Sequence, residues 1–284
     1  MNDTVKKLLW VLLPLAGVIA IAAMLFVPTP TTADHRAALV KQLQAALPEA
    51  QLAASADSTV HVGLRGEVYS IDLRALQETC AAQGPRNCQL AKDALTKIAV
   101  DAVSVTDPPA VARLRPTLAG FAPEAAFARG VIMQPWVGGL QVRYAFFNGP
   151  VARYLTEALA TQMKLDAKTL LPLALEQMES GAPAPVLRPV IAMRGVSYLD
   201  GEGDPSAEVL SGNRMARFTQ KTGLTRALVA FPTRHMVIVA NADTAGGPPD
   251  IRGAVANMTG KPSQHVISRT IFLWEKGQLT PLPN

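Results

Sequence analysis

The 284-residue chain is poor in charge, at 17% Asp, Glu, Lys and Arg against a usual quarter, and poor in aromatics, at 5%. It has no basic run interleaved with aromatic residues. Arg36, Arg65, Arg113, Arg153, Arg217 and Arg252 are scattered, so the net charge of +5 forms no nucleic-acid footprint. Nucleic acid is therefore excluded as the expected partner. There is no Gly-x-Ser-x-Gly elbow and no His-Glu-x-x-His. Gly260-Lys261-Pro262 lacks the hydroxyl a phosphate loop needs after its lysine. The four histidines keep no zinc spacing: His35, His61 and His265 are isolated, and His235 sits beside Arg234 in a predicted turn. No metal or cofactor is expected.

Cysteine is nearly absent too. Cys80 and Cys88 are the only two, without the two-residue spacing of a redox pair. In an oxidising compartment they are expected to form a structural disulfide.

One long apolar run is present. Leu8 to Val27 carries no charge, and ~20 residues at ~1.5 Å each span a hydrocarbon core. Pro14 is tolerable within such a span. Lys6 and Lys7 precede the run, and no Lys or Arg follows until Arg36. The positive-inside rule then predicts a cytoplasmic tail over 1–7 and a single-pass anchor in the inner (cytoplasmic) membrane over 8–27. Beyond a linker at 28–35 follows an extracytoplasmic, periplasmic domain over 36–284. The competing reading is a cleaved signal peptide, for which Thr31-Thr32-Ala33 offers a small-residue site. Both readings export the domain. No cysteine lies at or just after the end of the run, which argues against a lipoprotein.

Within the domain, Asp34 is expected to cap a helix over about 35–46, with Leu39, Leu43 and Leu47 on one face. Val60 to Leu73 alternates around Arg65-Gly66 as a hairpin. A short helix holding Cys80 follows, then a longer one over about 89–103 with Leu90, Ala94, Ile98 and Ala102 at helical spacing. The prolines of 107–129 predict loop with short helical pieces. A second hairpin turns at Gly138-Gly139, followed by helices over about 150–163 and 166–178. Two hairpin–helix–helix units suggest an internal duplication; two unrelated α+β units fit equally. Residues 180–186 mark a candidate subdomain boundary. Beyond lie predicted strands at 188–193, 196–199, 225–231, 236–241 and 265–274, and helices at 205–222 and 249–258. The expected class is α+β, a largely antiparallel sheet with helices, built of β-hairpin–helix units after one N-terminal transmembrane helix.

Four stretches in order carry a family resemblance: Val142-Arg143-Tyr144-Ala145-Phe146 with Tyr154-Leu155 after it; Asp200-Gly201 with Asp204 and Ser206; Ala227 to Pro232 with Val237 to Ala240; and Phe272-Leu273-Trp274-Glu275-Lys276-Gly277-Gln278-Leu279. Over 130–280, and more loosely over 36–105, the chain resembles the YtpQ-like family of bacterial proteins of unknown function. The resemblance implies the fold and no reaction. It departs from the family in the acidic loop, where Glu202-Gly203 precedes Asp204, Pro205 replaces a small residue, and Ala207 stands where an Arg is expected.

That loop is the most distinctive polar feature: Asp200, Glu202, Asp204, Ser206 and Glu208 at alternate positions. A calcium loop of the EF-hand type would need Gly and Glu where Pro205 and Ser211 stand. The structural alternative is Asp204 as N-cap with Pro205 at the first helical position. Asp200, Asp204, Ser206, Arg143 and His235 are the candidate ligand or functional residues, and no catalytic residue is assigned. Two functions compete. One is a non-catalytic binding or interaction module of the cell envelope, tethered through 8–27 and engaging an envelope protein or cell-wall partner. The other is an envelope enzyme, a hydrolase by class, using the loop around Asp200–Ser206. A pocket gathering Asp204, Arg143 and His235 would favour the second; Asp204 capping a helix would favour the first.

Overall fold

The computed structural model describes residues 32–55, 58–119, 129–181, 186–189, 195–200, 204–233, 236–260 and 267–283. The apolar run at 8–27 and residues Glu202 and His235 lie outside them. Among the described residues no helix is long and apolar enough to cross a membrane. The chain divides into two compact units, Met1–His35 and Arg36–Asn284. The second is α+β, with two antiparallel sheets.

The first sheet takes its strands from the first half of the domain: β1 (Gln51–Ala54), β2 (Thr59–Leu64), β3 (Glu67–Asp72), β4 (Leu114–Ala119), β5 (Met133–Pro135), β6 (Gln141–Asn148) and β7 (Val151–Tyr154). Their order is β1-β2-β3-β7-β6-β4, with β5 also paired to β6. The β2–β3 hairpin turns at Arg65-Gly66, both at positive φ, as a two-residue turn of this twist requires. Alternation sends Val60, Val62, Tyr69 and Ile71 to one face. There they pack with Leu39 and Leu43 of helix α1 (Thr32–Ala46) and Leu95, Ala99 and Val103 of helix α2 (Arg74–Ser104). Asp34 sits inside the first turn of α1 rather than capping it.

Helix α2 is two helices broken at Gly84, whose φ of 78° and ψ of 176° no helical residue holds. The Cys80–Cys88 disulfide bridges that break. Beyond it, the stripe expected from Leu90 and Ile98 faces outward, at 59% and 43% exposure. Cys88, Leu95, Ala99 and Val103 form the inward stripe. The segment offers two apolar stripes, and buried Cys88 belongs to the one turned inward.

Three further departures have physical causes. Residues 114–119 are strand β4 despite Pro116, because β4 is the edge of its sheet and an edge strand tolerates a missing donor. Residues 151–154 are strand β7, not the start of a helix, and helix α3 (Glu157–Gln162) opens only at Thr156, whose hydroxyl accepts from Leu159 N. The expected helix over 205–222 is a 3-10 segment, Pro205–Leu210, and then helix α5 (Gly212–Thr222), after a break at Ser211. Between them and α3 lies helix α4 (Leu170–Gly181).

The second sheet uses β8 (Val186–Pro189), β9 (Val196–Asp200), β10 (Arg226–Thr233), β11 (Met236–Asn241), β12 (Ile271–Glu275) and β13 (Gln278–Pro281), in the order β13-β12-β10-β11-β9-β8. The largest core cluster draws on both sheets. Leu114, Leu118, Val142, Tyr144 and Phe146 of the first join Val229, Phe231, Val239, Phe272 and Trp274 of the second. Leu170 and Ala174 of α4, Val209 of the 3-10 segment, and Met215 and Phe218 of α5 complete it. The other face of the second sheet carries helix α6 (Gly247–Thr259), with Ile251, Ala254 and Val255 on Leu228, Ala230, Ile238 and Ala240. Gly138 in the β5–β6 turn lies against the Phe272 ring; a Cβ there would meet ring carbons at 2.5 and 2.7 Å.

Candidate functional site

The part of the acidic loop from Asp204 to Glu208 folds into a buried polar joint where α4 ends, the 3-10 segment runs and α5 begins. Asp204 is its N-cap. The carboxylate Oδ1 accepts from the Ser206 backbone N–H at 3.1 Å and from the Ser206 hydroxyl. Pro205 follows at the first position, where no N–H is needed. The expected cap is therefore present, though on a 3-10 turn. Asp204 is 8% exposed and Ser206 not at all.

The same segment brings in Glu208. Arg214 of α5 reaches back to it, one guanidinium nitrogen donating to both carboxylate oxygens at 3.1 and 2.9 Å. The other terminal nitrogen donates to the Met178 carbonyl in the last turn of α4, where cations are favoured. Both side chains are almost wholly buried, at 3% and 6% exposure. Burial pushes the Glu208 carboxyl above the ordinary carboxylate range; Arg214 pulls it back, and the Asp204 charge adds to the rise. Burial also lowers the nearby Arg115 guanidinium, with the Arg214 charge contributing.

The break at Ser211 is capped in turn. Its hydroxyl accepts from Arg214 N at 3.1 Å and donates to Glu179 on α4. Asn213 Nδ2 also donates to Glu179, at 3.2 Å to Oε2. The Ser211 bond first, then the Asn213 bond, holds the Glu179 carboxyl below its ordinary value. Three elements are thus tied by two carboxylates, one guanidinium and two caps.

Of the sequence-predicted residues that the structure describes, Asp204 and Ser206 are brought together; His235 lies outside the described residues. Asp200 ends β9, paired with Val186 of β8. Arg143 is on β6, on the face opposite Val142 and Tyr144. It is buried, its guanidinium 5.2 Å from the centre of the Tyr154 ring. Arg214, Ser211 and Glu179 were not anticipated. No motif links an Arg to a Glu six residues earlier across a helix break. The faint signal is Ser211 itself, a good N-cap residue at the break.

Chemically, the joint resembles a structural knot more than a reaction centre. The Ser206 hydroxyl is inaccessible and bonded to a carboxylate. Glu208 is held on both oxygens. Two open cavities of the molecule are lined elsewhere. One, of 310 Å³, lies between the end of α2 and β7, walled by Tyr69, Phe146 and Arg153; Arg153 there pairs with Glu67 at 3.0 Å. The other, of 540 Å³, lies beside α6.

No family model, no curated protein and no solved structure matches the chain.

Proposed function

We propose that the chain is a membrane-tethered binding module of the cell envelope, with residues 8–27 as anchor and the α+β unit on the outer side. The observation that carries the non-catalytic reading is the acidic joint. Its Ser206 is fully buried and its Glu208 is paired on both oxygens, so the groups a hydrolase would use serve to hold α4, the 3-10 segment and α5 together. The tether rests on the uncharged run and the lysines before it. The Cys80–Cys88 disulfide agrees with an oxidising compartment. The YtpQ-like resemblance supplies no reaction to set against this.

The test uses the full chain in its membrane. A fluorophosphonate probe should leave Ser206 unlabelled, and crosslinking in the native membrane should capture the same partner from wild type and Ser206→Ala. Labelling of Ser206, or hydrolysis of ester or phosphate probes that Asp204→Asn abolishes at unchanged melting temperature, would overturn the reading in favour of the enzyme.

A further inference from the structure

The second sheet has six strands, and among the described residues one helix lies on its outer face. A helix with its side chains is ~10–12 Å wide and strands lie ~4.8 Å apart, so α6 roofs two or three strands and not six. It sits on β10, β11 and β9. On the same face, β12 and the residues after β13 present Ile271, Leu273 and Leu282 beyond the helix edge. The space between is the 540 Å³ cavity, within the ~300–1,000 Å³ of small-molecule sites.

Its walls differ in kind. Arg252, Val255, Ala256 and Thr259 project from one face of α6 at helical spacing, opposite Ile271 and Leu282. The Thr259 hydroxyl is turned back onto the Val255 carbonyl at 2.8 Å, which leaves the interior apolar. Two guanidiniums, Arg252 and Arg269, line the cavity from exposed positions. Neither makes an ion pair or side-chain hydrogen bond with the described residues, and no carboxylate is among the described lining residues. An apolar trough with two arginines and no acid among its described residues selects a ligand with a hydrocarbon body and an anionic head. The planar forks match a carboxylate or phosphate. Because the surface is concave, it suits one molecule and not the plane of a bilayer.

We propose that this cavity binds a single-chain anionic amphiphile, head on Arg252 and Arg269, tail along Val255, Ile271 and Leu282. The proposal rests on the reading of the chain as a binding module and names its ligand class.

The test uses the full chain in phosphatidylcholine nanodiscs with a diazirine-bearing palmitate, photolysed and mapped by mass spectrometry. Adducts are expected within 252–260 and 269–283, competed by palmitate and not by hexadecanol. The double variant R252Q/R269Q should cut labelling there by about ten-fold or more, since each lost charge-assisted bond is worth about that factor. Ala256→Trp changes an exposed lining residue, so the fold persists while the trough is filled; it should also block labelling. The proposal falls if adducts are confined to 8–27, if R252Q/R269Q labels like wild type, or if hexadecanol competes equally. It also falls if the domain binds anionic vesicles without competition from palmitate. A reactive Ser206 would overturn the binding-module reading and leave this labelling untouched, so the two failures are distinguishable.

Discussion

Replacing Arg214 with Met removes one half of a buried ion pair. The Glu208 carboxylate then keeps its burial and loses its charge partner. Removing one member of such a pair costs about 3–5 kcal/mol, largely the penalty of the charge left behind. For a domain of this size about 1 kcal/mol moves the melting temperature by ~2–4 °C, so a drop of about 10 °C is expected at neutral pH. The loss should depend on pH. Glu208 already titrates above the ordinary value because of its burial, and Arg214 is what pulls it down. A raised folded-state value means the associated stability is fullest below the unfolded carboxylate value of ~4.3 and is lost as pH rises through the folded value. Without Arg214 that loss grows, at up to ~1.4 kcal/mol per pH unit. The deficit of R214M against wild type should therefore be smaller at pH 5 than at pH 7.5. Intrinsic-fluorescence melts of the full chain, taken at both pH values, read this directly. The double variant E208L/R214M, which removes both charges, should recover most of the loss. A melting temperature within about 2 °C of wild type, or a deficit equal at both pH values, would refute the reasoning. The first result would mean the pair is open to solvent and the joint accessible; the second, that Glu208 does not titrate between the two pH values.

Two other perturbations isolate single contacts. Gly138→Ala places a methyl against the buried Phe272 ring at φ 65°, and should cost about 2–4 kcal/mol, whereas Gly139→Ala, at φ 79° with nothing within 4 Å, should cost only about 1–2 kcal/mol; equal melts would deny the contact. Thiol labelling without reduction should find neither Cys80 nor Cys88, and C80S/C88S should lose about 2–3 kcal/mol because the bridged loop is short; quantitative labelling of both would contradict the bond.

Legibility followed the range of the forces involved. Hairpins were readable because their signals are local: Arg65-Gly66 and Gly138-Gly139 take the positive φ their turns need, and the flanking alternation sets the faces. The cap at Asp204 was readable for the same reason. Strand β4 was not, since Pro116 reads as loop unless one knows the strand ends its sheet. The rotation of α2 was not, because two stripes compete and the choice is made by tertiary packing. At the site, sequence supplied the acids but not Arg214, which is placed by the break at Ser211 and by the fold of α5 against α4.

The shared core also bears on the order in which the chain can mature. Every strand of the first sheet precedes Gly181, and every strand of the second follows it. Yet Leu114, Leu118, Tyr144 and Phe146 are buried in company with Phe231, Val239 and Phe272. A nascent chain that has delivered only its first half therefore carries an oily, waiting surface until more than fifty further residues arrive. Each half is half of one folding unit, and the interval between them is when the polypeptide is most exposed to aggregation or to a chaperone.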